Sequence, residues 1–351
     1  MATDRKAKTM RVAVYYNNRD VRVKRMPVPK IGPGELLVRV EACGICGSDV
    51  AEWDRLPKAP LTLGHEIAGV VVEVGEGVDR YRVGDRVTSA HHVPCDDCRY
   101  CRSGHETTCD TLRRTRFDPG GFAEFIRLPS INVEKGVFLI PHHVTFAEAS
   151  LTEPLACVLR GQRMAGLQPG RSVLVLGSGV AGLMHVHLAR FMGATPVAST
   201  DVSQYRLEAA IRFGAEEAWH VDEDIAARFR RLNDGYLADM VIVCTTAPSA
   251  FAQSLTLVER GGTVLFFAPP DPGFRLDVPV NELFYRNDIT LTTSYAAGPD
   301  DYAMALEMIS QRRVQLADMI THRLGLSEVK KGFRMVADAQ ESLKVIVEPQ
   351  R

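Results

Sequence analysis

Four of the eight cysteines in this 351-residue chain, Cys95, Cys98, Cys101 and Cys109, fall in one turn-rich stretch as C-x2-C-x2-C-x7-C. Thiolates are soft ligands, and four at that spacing suit a tetrahedral structural zinc with no open coordination position. A disulfide framework is the competing reading. It fits less well, because the start of the chain, Met1 to Lys6, has no apolar run of a secretory leader, and a reducing cytoplasm is the expected setting.

A second set of metal-capable residues is scattered: Cys46 in Gly44-Ile45-Cys46-Gly47-Ser48-Asp49, His65 and Glu66 in Gly64-His65-Glu66, and Glu153 in Thr152-Glu153-Pro154-Leu155. They supply a thiol, an imidazole and two carboxylates, but no spacing rule joins residues so far apart. On residue type alone, Cys46 reads more readily as a buried apolar thiol and Glu66 as a surface charge.

A third feature is Gly177-Ser178-Gly179-Val180-Ala181-Gly182, a G-x-G-x-x-G that follows an apolar strand and opens the apolar helix Leu183 to Phe191. In that context Gly177 permits the tight turn, Gly179 lets backbone approach a pyrophosphate, and Gly182 allows close helix-strand packing. The helix N-terminus, with Val180 and Ala181, offers free N–H groups to phosphate. Asp201 ends the next strand, about 20 residues on, where a carboxylate binds ribose hydroxyls and repels a 2′-phosphate, which favours NAD over NADP. Alternatively, Asp201 only caps a helix beginning near Ser203, and Arg206 lends tolerance for phosphate.

The elements that must position these residues divide in two. Arg11–Tyr15, Glu35–Val40, Gly69–Val74 and Asp85–Thr88 read as strands of a β-rich unit punctuated by Gly and Pro. From about Gly170 short, fully apolar strands (172–176, 196–200, 240–244, 263–267) alternate with helical segments, the pattern of a parallel α/β sheet. A helix over 301–311 and a strand over 342–347 close the chain. With 46% hydrophobic and 24% charged residues and a formal net charge of −1, the composition is that of a soluble globular protein. It gives no reason to expect nucleic acid or a membrane as partner.

The Gly44–Asp49, Gly64–Glu66, four-cysteine, Glu153–Leu155 and Gly177–Gly182 motifs occur in one order. Together they make the chain similar, over essentially its whole length, to the zinc-dependent medium-chain alcohol/polyol dehydrogenases, close to the sorbitol (iditol) and threonine dehydrogenase branch. The resemblance implies an α/β protein with a GroES-like β-rich catalytic domain (1–153 and 297–351, zinc lobe about 94–110). It also implies a Rossmann coenzyme domain, a doubly wound parallel sheet, over 154–296. Cys46 and His65 then match the catalytic zinc ligands, Glu66 and Glu153 match exchangeable third and fourth partners, and Asp49 matches the carboxylate that orients His65. Ser48 matches the hydroxyl that begins a proton relay. The implied cofactors are one catalytic and one structural zinc per chain and NAD. The implied partner is a small alcohol or polyol, and the implied assembly a homodimer or homotetramer.

Many relatives carry a histidine shortly after the relay serine; here Val50, Ala51 and Glu52 follow, and the terminal proton carrier stays open. The resemblance favours a polyol, with L-threonine 3-dehydrogenase or NADP-dependent secondary alcohol dehydrogenase as alternatives. From another class, a non-catalytic NAD(H) sensor would keep the glycine turn and the cysteine lobe without a catalytic metal. Cys43, Cys157 and Cys244 read as structural. The pairs His91-His92 and His142-His143 read as exposed loop residues, and Trp53, Phe117 and Tyr295 as cleft or core aromatics.

Overall fold

The β-branched and apolar runs between glycines and prolines form strands, as their propensities dictate. The computed structural model describes residues 8–339 and 341–351; Met1 to Lys6, on which the reading of a missing leader rests, lie outside them. Two compact units form, one from the chain up to Ala156 together with Ala296–Arg351, the other from Cys157–Tyr295.

In the first unit the main sheet runs Ile320–Gly325, Lys344–Glu348, Leu36–Gly44, Glu66–Val74, Arg86–Ser89, Val137–Leu139, and Phe125–Leu128 also pairs with Leu36–Gly44. The pairings are antiparallel except that of Ile320–Gly325 with Lys344–Glu348. Leu36–Gly44 is central and mostly buried, and its last residues carry the register that matters: Gly44 lies opposite Glu66 on one side and Ile346 on the other. The C-terminal strand is thereby built into the sheet that presents Glu66. Strands that the pattern did not show, such as Asp20–Pro27 in the hairpin with Thr9–Asn17, carry exposed charged residues that mask the period-2 signal.

The second unit is a six-stranded sheet, parallel throughout, in the spatial order Glu217–His220, Val197–Asp201, Val173–Leu176, Ala238–Val243, Val258–Phe266, Thr290–Thr293. The first strand in sequence is central and the order reverses beside it, which is the Rossmann arrangement with its crevice at the strand carboxyl ends. There Gly177, at φ 99°, turns the chain against Cys244, whose backbone lies 3.1 Å from where a Cβ would stand. Helix Val180–Phe191 follows, and a Cβ on Gly182 would sit 1.9 Å from Gly177 O. Strand and helix meet at a distance that only glycine permits.

One feature of that helix runs against its apolar packing. His185 is fully buried, its ring edge-on to Phe267 at 4.5 Å between centroids. Gln162 Nε2 donates to His185 O (2.8 Å) and lies 3.2 Å from its Nδ1, while Nε2 has no hydrogen-bond partner among the described residues. Burial pushes the imidazole down to about 3. The unfolded chain takes up this proton near the ordinary histidine value and the folded chain does not, so stability is complete above about pH 6.5 and falls as the pH drops below it. His185→Leu should remove that slope. Between about pH 7.5 and about pH 5, the variant is expected to lose about 2 kcal/mol less unfolding free energy than wild type in urea titrations.

Candidate functional site

Cys46 sits where strand Leu36–Gly44 gives way to the short turn Gly47–Val50, and its Sγ accepts the Ser48 backbone N–H at 3.4 Å. The Cys46 N–H donates to Asp49 Oδ2 (3.0 Å), and Asp49 Oδ1 lies 3.4 Å from His65 Nδ1. Asp49 is fully buried. Burial pushes its carboxyl up, but the charge and hydrogen bond of His65, the Cys46 N–H and Arg55 outweigh that and hold it below its usual value. The same carboxylate raises His65 well above the ordinary histidine range against the opposing pull of burial. With Nδ1 facing Asp49, His65 keeps Nε2 as its ligating nitrogen.

Glu66 follows at the head of its strand and points into space that Gly44 leaves empty. A Cβ at Gly44 would stand 1.9 Å from Glu66 Oε2 and 2.7 Å from Lys344 Cε. In that gap Lys344 Nζ pairs with Glu66 Oε2 and donates to Ile45 O (3.2 Å), the two side chains being 2% and 0% exposed. Burial pulls the Lys344 ammonium down, but Glu66 and Cys46 outweigh it and the group is raised, so it stays charged. Lys344 is a site residue that motif reading missed. Its signal was a single lysine inside the apolar run Leu343–Val347.

Ligand atoms of Cys46, His65 and Glu66 lie within 4.8 Å of one another. Both Glu66 oxygens are buried without a hydrogen bond among the described residues, Oε2 having only the ion pair. One thiol, one imidazole and one desolvated carboxylate converging in this way fit a divalent zinc that keeps an open position. Glu153, in the first turn of helix Thr152–Met164, acts electrostatically on both His65 and Lys344 but lies outside that tight set.

The four remaining candidate thiols form a second group among the described residues. Cys98 and Cys101 Sγ lie 3.5 Å apart, Cys95 and Cys109 3.6 Å, Cys95 and Cys101 4.0 Å. These are the edges of a tetrahedron about a metal with metal–sulfur bonds of about 2.3 Å, and far longer than a disulfide bond of about 2.0 Å. Burial raises Cys109, yet hydrogen bonds to backbone at Cys95, Leu112 and Thr111 bring it to about 6, which suits a thiolate ligand.

At the glycine turn the approach to Gly179 is open, Arg206 Nη1 at 4.0 Å being the nearest atom to a built Cβ. Asp201 is not a helix cap of the simple kind. Its Oδ2 accepts the Ser178 N–H (2.8 Å) and its Oδ1 the Ser203 N–H (2.9 Å), tying strand end to glycine turn, with Arg206 Nη1 4.0 Å away.

His91 and His92 correct the expectation of an exposed pair. The His91 ring lies 5.2 Å from His65, 3.5 Å from His92 and 5.9 Å from Phe117, which is buried. Burial, then neighbouring cations, lowers both imidazoles. His142 and His143 are exposed as expected, whereas Trp53 and Tyr295, read as cleft or core aromatics, are exposed rather than core.

Residues 32–141 match the alcohol dehydrogenase GroES-like domain, and 180–311 the zinc-binding dehydrogenase domain. The chain is 30% identical to a sorbitol dehydrogenase of Bacillus subtilis (97% of this chain, 98% of the relative). It is 31% identical to an L-threonine 3-dehydrogenase of Caldanaerobacter subterraneus (96% and 98%). Its fold superposes with TM-score 0.87 on a candidate zinc-binding dehydrogenase of Sinorhizobium meliloti 1021 bound to NADP (29% identity, 98% of this chain, 100% of that one). With an alcohol dehydrogenase of Thermus sp. ATN1 the TM-score is 0.82 (28%, 97% and 99%). The chain therefore belongs to the zinc-dependent medium-chain alcohol/polyol dehydrogenases, an oxidoreductase family. Among the described residues no helix is long and apolar enough to cross a membrane.

The Lys344–Glu66 pair yields a prediction. Lys344→Met strands a buried carboxylate and should cost about 3–5 kcal/mol, whereas adding Glu66→Gln to it should recover a large part of that loss. Chemical unfolding of the two single variants and the double variant measures the coupling.

Proposed function

We propose that this chain interconverts a secondary alcohol or polyol and its ketone, using NAD as hydride acceptor. The observation that carries the reading is the convergence of Cys46, His65 and Glu66 over a buried Asp49. Those three residues, with Glu153 as an exchangeable fourth, would hold the zinc, which as a Lewis acid favours loss of the alcohol proton and orients the carbinol carbon.

The chain's own groups do the rest. Asp49 fixes the His65 ring, and Lys344 neutralises Glu66 from behind and limits its swing. Ser48 is exposed two residues past Cys46, with a hydroxyl that makes no hydrogen bond among the described residues, and in this reading it takes the alcohol proton. The half-buried imidazoles of His91 and His92 lie beside His65. The likeness to an L-threonine 3-dehydrogenase keeps that substrate as a second reading.

NAD is the coenzyme we assign, because Asp201 at the strand end opposes a 2′-phosphate. Asp201→Ala leaves Arg206 unopposed and should improve NADP relative to NAD by about tenfold or more in kcat/KM. An unchanged coenzyme ratio contradicts the assignment.

Cys46→Ser is expected to lower NADH formation from a polyol by at least about a thousandfold and to remove one of two zinc ions per chain. The test is a rate assay over polyols, L-threonine and simple secondary alcohols, with metal analysis on both proteins. Coenzyme binding without turnover of any alcohol, and a single zinc in wild type, would instead favour the sensor.

A further inference from the structure

Lys344 reaches Glu66 from the C-terminal strand, and the chain holds it at both ends. Ile320 lies opposite Lys344 and His322 opposite Val345, so Thr321 bulges out of register between them. Its Oγ1 accepts the Leu343 N–H (3.0 Å) and donates to Lys344 O (3.4 Å), which fixes the backbone from which the lysine projects. At the far end Nζ donates to Ile45 O (3.2 Å), one residue before Cys46, and pairs with Glu66 Oε2 in the gap beside Gly44.

The two oxygens of Glu66 are therefore unlike. Oε2 carries the ammonium, whereas Oε1 is buried with neither a hydrogen bond nor an ion pair among the described residues. A Glu66 oxygen also lies within 4.8 Å of ligand atoms of both Cys46 and His65. With Glu66 0% and Lys344 2% exposed, bulk water cannot stand in for a lost partner, so the carboxylate needs a cation. Two are available to it: the ammonium, and a divalent metal held with Cys46 and His65. These repel one another, and each weakens the other's hold on the shared carboxylate. An ammonium has no lone pair, so Lys344 is not itself a ligand.

We infer that Lys344 is a positioning residue that competes with the metal for Glu66: it holds the carboxylate when the metal is absent, loosens the metal's hold when it is present, and so keeps Glu66 an exchangeable ligand. The inference rests on the metal-site reading above and assigns that site its regulation. It also fixes the sign of a substitution. Removing a merely structural lysine would disorder the cluster and weaken metal binding, whereas removing a competitor tightens it.

The test reads zinc binding rather than turnover. The full-length chain, with zinc left in the cysteine lobe, takes up a second zinc in competition with a chelator of known affinity. Lys344→Met should bind that zinc about tenfold or more tighter than wild type, and its Tm should rise more on zinc addition. Lys344→Arg keeps the charge and should not show this gain. In a Glu66→Gln background the gain from Lys344→Met should fall below about threefold, because the contested ligand is gone. A gain below tenfold with Glu66 in place, a gain above threefold without it, or an equal gain in Lys344→Arg overturns the inference. Should Lys344→Met fail to fold, Lys344→Gln takes its place under the same outcomes. If wild type takes up no second zinc, the catalytic-metal reading fails separately. A second zinc bound by Lys344→Met then still upholds the competition, and none bound by either protein refutes it.

Discussion

The first unit is organised around a buried ion pair in a gap that one glycine leaves open. Glu66 from the strand after His65 and Lys344 from the C-terminal strand meet beside Gly44, and any side chain on Gly44 would overlap both. Such a pair costs desolvation of two charges, and its net stabilisation is small. Its value lies in specificity. A one-residue slip of Lys344–Glu348 against Leu36–Gly44 would turn Lys344 to the other face of the sheet and leave Glu66 a buried unpaired charge. The last strand is thus locked in register with the loop that carries Cys46, and the three candidate ligands inherit that precision.

Both units handle negative charge in the same way, by aiming backbone N–H groups at it from the ends of strands. Cys46 Sγ accepts from Ser48, Asp49 from Cys46, Cys98 N–H donates to Cys95 Sγ, and Asp201 accepts from Ser178 and Ser203. Donors fixed by the main chain stabilise thiolate or carboxylate without adding a competing ligand, and they need no rearrangement when a cofactor arrives. In the first unit the thiolates of Cys46 and Cys95 are held in place by these main-chain donors. In the second it ties the glycine turn to the strand end that carries Asp201.

Much of this was legible in the sequence. Fully apolar strands alternating with helices announced the parallel sheet, the glycine turn lay in the right context, and four clustered cysteines announced their own geometry. Cys46, His65 and Glu66 became a site only by resemblance, because the residues that join them are distant in sequence and meet through sheet register. Lys344 was hidden for the same reason: a lone lysine in a short apolar strand has no local pattern that says it faces a carboxylate. His91 and His92 misled because a loop-like stretch is ordinarily solvated, whereas here it folds back against His65 and Phe117.

We propose that the Cys46–His65–Glu66 cluster is a metal site distinct from the cysteine lobe. Diffraction data collected on both sides of the zinc absorption edge, from crystals of the zinc-loaded protein, test it directly. Two anomalous peaks per chain are expected, one among Cys95, Cys98, Cys101 and Cys109 and one between Cys46 and His65. A single peak at the lobe, with Glu66 still paired to Lys344 and no density between Cys46 and His65, would contradict it.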